Sequence, residues 1–118
     1  MNNNRIRYYK NFKFCFFSRN GGVSKKNFRS LNCAFNSEDT KENVEKNREL
    51  ARKKFSKSKR IVLMNQVHSN KVILVDEEER KILNVDGMVS KRKDLCLGIL
   101  TTDCAPIIIL GQNHYGIV

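Results

Sequence analysis

Cys104 sits in residues 101–110, TTDCAPIIIL, between a polar triplet and a run of β-branched side chains. Cys15, Cys33 and Cys96 lie far from it and from one another, with no C-x-x-C pair. Nothing in the sequence suggests export, so reduced thiols are expected, which leaves all four for packing or for chemistry. Cys15, Cys33 and Cys96 read as small core residues, and a lone Cys104 would read the same way. His68 lies in NQVHSN, where Asn and Ser favour a turn between two apolar runs. A lone histidine there reads as a hydrogen-bonded surface residue, and Gln66 is a candidate for orienting its loop. Asp103 reads as structural rather than as a general base, because in a regular strand it would face away from Cys104.

The elements that must position these side chains follow from the pattern of apolar residues. Phe12, Phe14 and Phe16 alternate in NFKFCFFS, the period of a half-buried strand, and RNGG ends it. Between Asp39 and Phe55 the period changes. Asp39 and Glu42 form a candidate capping box, and Val44, Ala51 and Phe55 recur at helical spacing with charged residues on the other face. One helix over about residues 40–55 is predicted. Ile61 to Met64 and Lys71 to Val75 read as strands on either side of His68. DGMVS, LCLGILTTD and APIIIL supply three further β segments, and HYGIV begins another. The expected fold class is α+β, with mixed β-sheets and one helix.

Between PIIIL and YGIV lies a polar loop, Gly111 to His114, suited to a tight antiparallel hairpin. A turn centred between Gln112 and Asn113 pairs residues whose numbers sum to 225 and sets Cys104 opposite a position near 121, past Val118. His114 is no substitute. Several strand residues at about 3.3 Å each hold it well over a dozen ångströms from the thiol.

With 118 residues the chain is expected to form at most one domain with a modest core. Its 40% hydrophobic and 30% charged residues are ordinary for a globular protein. No apolar run reaches the roughly 20 residues of a membrane span, and MNNNRIRYYK lacks a signal-peptide core, so a cytoplasmic location is expected. The net charge of +11 would suit a polyanion. The basic residues are scattered and accompany many Asn and Ile, as in proteins from AT-rich genomes. A solvated basic surface, without a nucleic-acid partner, is the reading preferred.

Three stretches then line up with a known family: FFSRNGGVSKKNFRSLN (residues 16–32), NQVHSNKVILVD (65–76) and VDGMVSKRKDLCLGILTTDCAPIIIL (85–110). In the same order and over nearly the whole chain, they resemble the amino-terminal half of the laccase-domain, or polyphenol oxidase and YfiH-type, purine nucleoside phosphorylases. The resemblance implies a cytoplasmic enzyme acting with phosphate on adenosine, inosine, guanosine and S-methyl-5'-thioadenosine, with adenosine deamination, a hydrolase reaction, as a second activity. It also implies a Zn²⁺ site, with Cu²⁺ as the alternative ion, whose ligands are a histidine of a Q-V-H motif, a cysteine of an A-D-C motif and a histidine of an H-x-G-W-R motif. His68 and Cys104 match the first two and become the implied catalytic and metal residues. The third should fall near position 121. Arg19 resembles the arginine of the family's T-R-x-G-G-V-S motif, which makes it an implied substrate or anion contact, with Gly21 and Gly22 letting backbone amides approach the ligand.

Departures from the family pattern matter as well. The chain reads SLNCAFN where the family has S-L-N-L-G-x-H, with Ala34 for the glycine and Asn36 for the histidine. The H-x-G-W-R motif and the carboxy-terminal half have no counterpart, so residues 1–118 are expected to be the amino-terminal part of a single domain, incomplete and of doubtful activity. Two alternatives stay open: a non-catalytic remnant, and a small basic RNA-binding protein. The DNA just downstream of codon 118 separates a truncated record from a frameshift. RNA binding would require aromatic residues exposed among the basic ones, whereas Phe12, Phe14 and Phe16 read as core-facing.

Overall fold

The computed structural model describes residues 4–57, 59–76 and 83–118. It divides into two compact units, residues 1–58 and 59–118.

The first unit begins with a hairpin of β1 (Arg7–Tyr9) and β2 (Phe12–Phe14), paired antiparallel with Arg7 opposite Phe14. The sequence alternation runs on to Phe16, but β2 stops at Phe14 because β1 offers no partner beyond Arg7. Phe16 is therefore not core-facing: it is exposed, with its ring edge-on to Phe14 at 6.2 Å. A short 3-10 turn (Lys26–Phe28) precedes α1 (Lys41–Phe55), which matches the predicted helix.

The cap of α1 is Thr40, not Asp39. The Thr40 hydroxyl accepts from the Asn43 amide at 3.3 Å, meeting one of the donors a helix start leaves open. Asp39 is taken by other partners, accepting from the Ser24 hydroxyl at 2.5 Å and the Asn32 amide group at 3.1 Å. These bonds, that from Ser24 foremost, hold its carboxyl below the ordinary range. Val44 and Asn47 form the buried face of the helix. Asn47 is fully buried, donating to the Ser24 hydroxyl and the Asn32 carbonyl and accepting from the Val23 amide, each at 2.8 Å. One polar side chain thereby fixes two loops to the helix.

Among the described residues the second unit holds seven strands: β3 (Arg60–Asn65), β4 (Val72–Leu74), β5 (Leu83–Asn84), β6 (Gly87–Ser90), β7 (Leu95–Gly98), β8 (Ile108–Leu110) and β9 (Tyr115–Ile117). β3 lies between β5 and β7, parallel to both. The other sheet has the order β4-β6-β9-β8, with β4 parallel to β6 and the remaining pairs antiparallel. Val62, Met64, Val75, Val85, Met88 and Leu95 form one buried cluster joining the two sheets. Complete burial of a side chain such as Met88 contributes roughly 1.5–3 kcal/mol. Mixed sheets with one α-helix among the described residues make the fold α+β. No helix among those residues is long and apolar enough to cross a membrane.

The register of the last hairpin is the predicted one. Ile108 pairs with Ile117 and Leu110 with Tyr115, and Ile107 and Val118 exchange backbone hydrogen bonds of 2.9 and 3.0 Å. The strand expected to carry Cys104 is shorter than its apolar run, because β7 ends at Gly98 and β8 begins at Ile108. Cys104 and Asp103 lie in an irregular, bent stretch, so strand alternation does not set their directions.

Candidate functional site

His68 stands three residues beyond the end of β3, exposed, with its backbone in the left-handed region at φ 58°. That conformation costs a non-glycine residue about 1–2 kcal/mol, although histidine is among the residues that adopt it more readily. The offset comes from Asp86, the residue before β6. Its carboxylate accepts from three consecutive amides: Val67 at 3.2 Å, His68 at 3.0 Å and Ser69 at 2.8 Å. The Ser69 hydroxyl adds a fourth donor at 2.7 Å. Successive N–H groups curled about an anion form a nest, and the left-handed residue within it is His68. The Asp86 carboxyl is held below its ordinary range, first by the Ser69 hydroxyl and then by the loop amides.

Cys104 is exposed, six residues beyond the end of β7. β3 and β7 are parallel neighbours, with Leu63 opposite Gly98, so the His68 and Cys104 loops leave one end of the same sheet. Both loops then join the four-stranded sheet at its two edges. Val72 is opposite Gly87 on one side, and Ile107 is bonded to Val118 on the other. Three interstrand spacings separate these edges, about 14 Å in all. The topology thus brings both loops to one end of the second unit.

Arg19 is exposed in the first unit and donates from Nε to the Arg29 carbonyl at 2.8 Å, while its own carbonyl accepts from the Ser30 and Leu31 amides, both at 2.8 Å. Gly21 has φ 95°, where a side chain would be strained. Gly22 is pressed against its own chain: a Cβ there would stand 2.1 Å from the Ser30 carbonyl oxygen, and its amide donates to the Ser30 hydroxyl at 3.2 Å. These contacts account for both glycines through the loop's own packing.

All four cysteines are free. Cys96 is buried, whereas Cys15 and Cys33 are half-buried, with burial raising both thiol pKa values. Among the described residues no group of three or more His, Cys, Asp and Glu side chains could hold a metal ion. The sequence reading takes DGMVS as a β segment and misses Asp86, which stands just before β6. The hydrogen bonds that fix the His68 loop come from this carboxylate rather than from Gln66.

A family described as multi-copper polyphenol oxidoreductase laccase matches residues 13–117. A purine nucleoside phosphorylase of Streptomyces coelicolor is 38% identical over 99 residues, 81% of this chain and 41% of the relative. One from Streptomyces griseus is 36% identical over 114 residues, 87% of this chain and 46% of the relative. Among solved structures, a Neisseria meningitidis protein of the family DUF152 superposes with a TM-score of 0.76 at 27% identity, over 84% of this chain and 41% of that one. The Bacillus licheniformis hypothetical protein YfiH superposes equally well, at 0.76, and at 24% identity it speaks for the fold alone. The chain therefore spans less than half the length of the relatives it matches. With the family match running from the second strand of the first hairpin to the last strand of the second unit, the chain belongs to the multi-copper polyphenol oxidoreductase laccase family.

Proposed function

We propose that residues 1–118 are the amino-terminal part of a single purine nucleoside phosphorylase domain. The intact domain cleaves adenosine, inosine, guanosine and S-methyl-5'-thioadenosine with phosphate, deaminates adenosine as a second activity, and works in the cytoplasm. The observation that carries this reading is the match, over most of this chain, to relatives named purine nucleoside phosphorylase.

In this reading His68 and Cys104 are two ligands of a Zn²⁺ ion. One imidazole and one thiol form a nitrogen and sulfur donor set suited to zinc, with copper as the alternative ion. Two donors do not complete a site, and the third ligand is assigned to the part of the family domain outside the matched segment. When bound, the ion supplies Lewis-acid polarisation. Arg19 is assigned to the phosphate or the nucleoside as a fixed positive charge, with Gly21 and Gly22 shaping the loop that carries it.

The test is hypoxanthine release from inosine in phosphate buffer, together with zinc stoichiometry. The 118-residue chain is expected to turn over little substrate and to hold zinc weakly. A longer chain supplying the remaining part of the domain, with a histidine facing Cys104, should gain both properties. His68→Ala or Cys104→Ala in that longer chain should abolish both, and Arg19→Ala should raise KM for phosphate or nucleoside with zinc content unchanged. Undiminished turnover by the His68 and Cys104 variants would remove those residues from the mechanism.

Exposed aromatic rings bear on RNA binding, and Phe16 is one of them. Tyr8 and Tyr9 are 71% and 55% exposed beside Arg7 and Lys10, aromatic rings among basic residues. They are consecutive in β1 and so point to opposite faces, which denies successive bases one stacking platform. The phosphorylase reading is kept.

A further inference from the structure

We propose that Asp86 is the positioning residue for His68: its carboxylate gathers the amides of Val67, His68 and Ser69 and so fixes where the imidazole stands. The proposal rests on the reading of His68 as a functional ligand.

Four donors converge on this one side chain at 2.7 to 3.2 Å, and they come from three consecutive residues centred on His68. Asp86 is itself anchored to the far end of the same loop. Its amide and that of Gly87 donate to the Lys71 carbonyl at 3.0 and 3.2 Å, and the Lys71 amide donates to the Ser69 hydroxyl at 3.2 Å. The loop between β3 and β4 is therefore closed at both ends on residues 86 and 87, where β6 begins. Without the carboxylate, these exposed amides would turn to water, and no single acceptor would hold the three of them on one centre. His68 would then lose the reason for its left-handed backbone. A return to negative φ redirects the side chain and moves the imidazole. Gly87 fixes the register of the clamp, because a Cβ there would stand 2.9 Å from methyl carbons of Val72 and Val118.

The experiment compares the 118-residue chain with Asp86→Ala, Asp86→Asn, Ser69→Ala and His68→Ala, using zinc alone as the probe. Amide hydrogen exchange is followed by NMR at residues 67–69, with Val75 and Val118, bonded to Val89 and Ile107, as internal controls. In Asp86→Ala the three loop amides should exchange about tenfold faster or more while the controls keep their rates. The zinc dissociation constant should rise about tenfold to a hundredfold, the loss usual when a partner that orients a ligand is removed. Asp86→Asn keeps one carbonyl acceptor and should recover part of both properties. Ser69→Ala removes one donor of four and should have the smallest effect, so the series keeps its order even if Asp86→Ala does not fold.

Unchanged exchange at residues 67–69 in Asp86→Ala and Asp86→Asn would overturn the clamp. Faster exchange with unchanged zinc affinity, in a series where His68→Ala weakens zinc, would overturn the positioning role. If His68→Ala itself leaves zinc affinity unchanged, His68 is not a ligand and Asp86 positions none, a failure recognisable because it appears in the His68 variant as well.

Discussion

At the residue scale, polar side chains rather than apolar ones decide the local structure on which any function depends. Asn47 is the clearest case, since it is fully buried on α1 and all three of its bonds go to the loop segments at residues 23–24 and 32. Asn47→Ala leaves the Val23 amide without its acceptor and opens a cavity. The expected cost is roughly 2–4 kcal/mol, read as a lower midpoint in urea with the slope unchanged. A variant within about 0.5 kcal/mol of the parent would show that these bonds are replaced by water at no cost. Asn47 was not legible in the sequence, where it looks like one more polar residue of the solvated helix face. Asp86 was hidden for a related reason. Its partners are backbone amides 17 to 19 positions away, and backbone donors leave no mark on residue identity. His68 and Cys104, by contrast, were legible as candidates from their motifs.

At the element scale, the sequence reading succeeded where one physical signal dominated and failed where two competed. The helix was legible because Val44, Ala51 and Phe55 share a face. Its cap was missed by one residue because Asp39 and Thr40 both suit the position, and only the tertiary bonds from Ser24 and Asn32 withdraw Asp39 from it. The hairpin register was legible because a short polar loop fixes the pairing sum, and Ile108 opposite Ile117 obeys it. The extent of β8 was not. β8 starts at Ile108, opposite the last residue of β9, Ile117; beyond the Ile107–Val118 pair Pro106 has no amide to carry the ladder on, which leaves Cys104 in irregular backbone. Phe16 shows the same limit, since alternation continued past the last residue with a partner on β1.

At the scale of the whole molecule, the four-stranded sheet is apolar on both faces. One face carries Val75 and Met88 into the core. The register puts Val72 and Leu74 of β4 on the other, together with Ile107 and Ile109 at β8, each 52% to 58% exposed. Unbroken apolar runs such as VILV and PIIIL suit strands covered on both sides, and an open apolar face with an edge strand lowers solubility. Ile109→Lys, which adds charge to this face without touching the core, is expected to raise solubility severalfold in a precipitation titration with polyethylene glycol. Equal solubility of parent and variant would show that the face does not govern association.

The proposed pairing of His68 and Cys104 on one zinc ion can be read by X-ray absorption at the zinc edge, which sees both donors at once. The zinc-loaded chain is expected to show one sulfur neighbour at about 2.3 Å and a nitrogen neighbour at about 2.0 Å. Cys104→Ala should remove the sulfur shell, and His68→Ala should remove the imidazole signature while keeping the sulfur. A spectrum with no sulfur neighbour, or a sulfur shell that survives Cys104→Ala, would contradict the pairing.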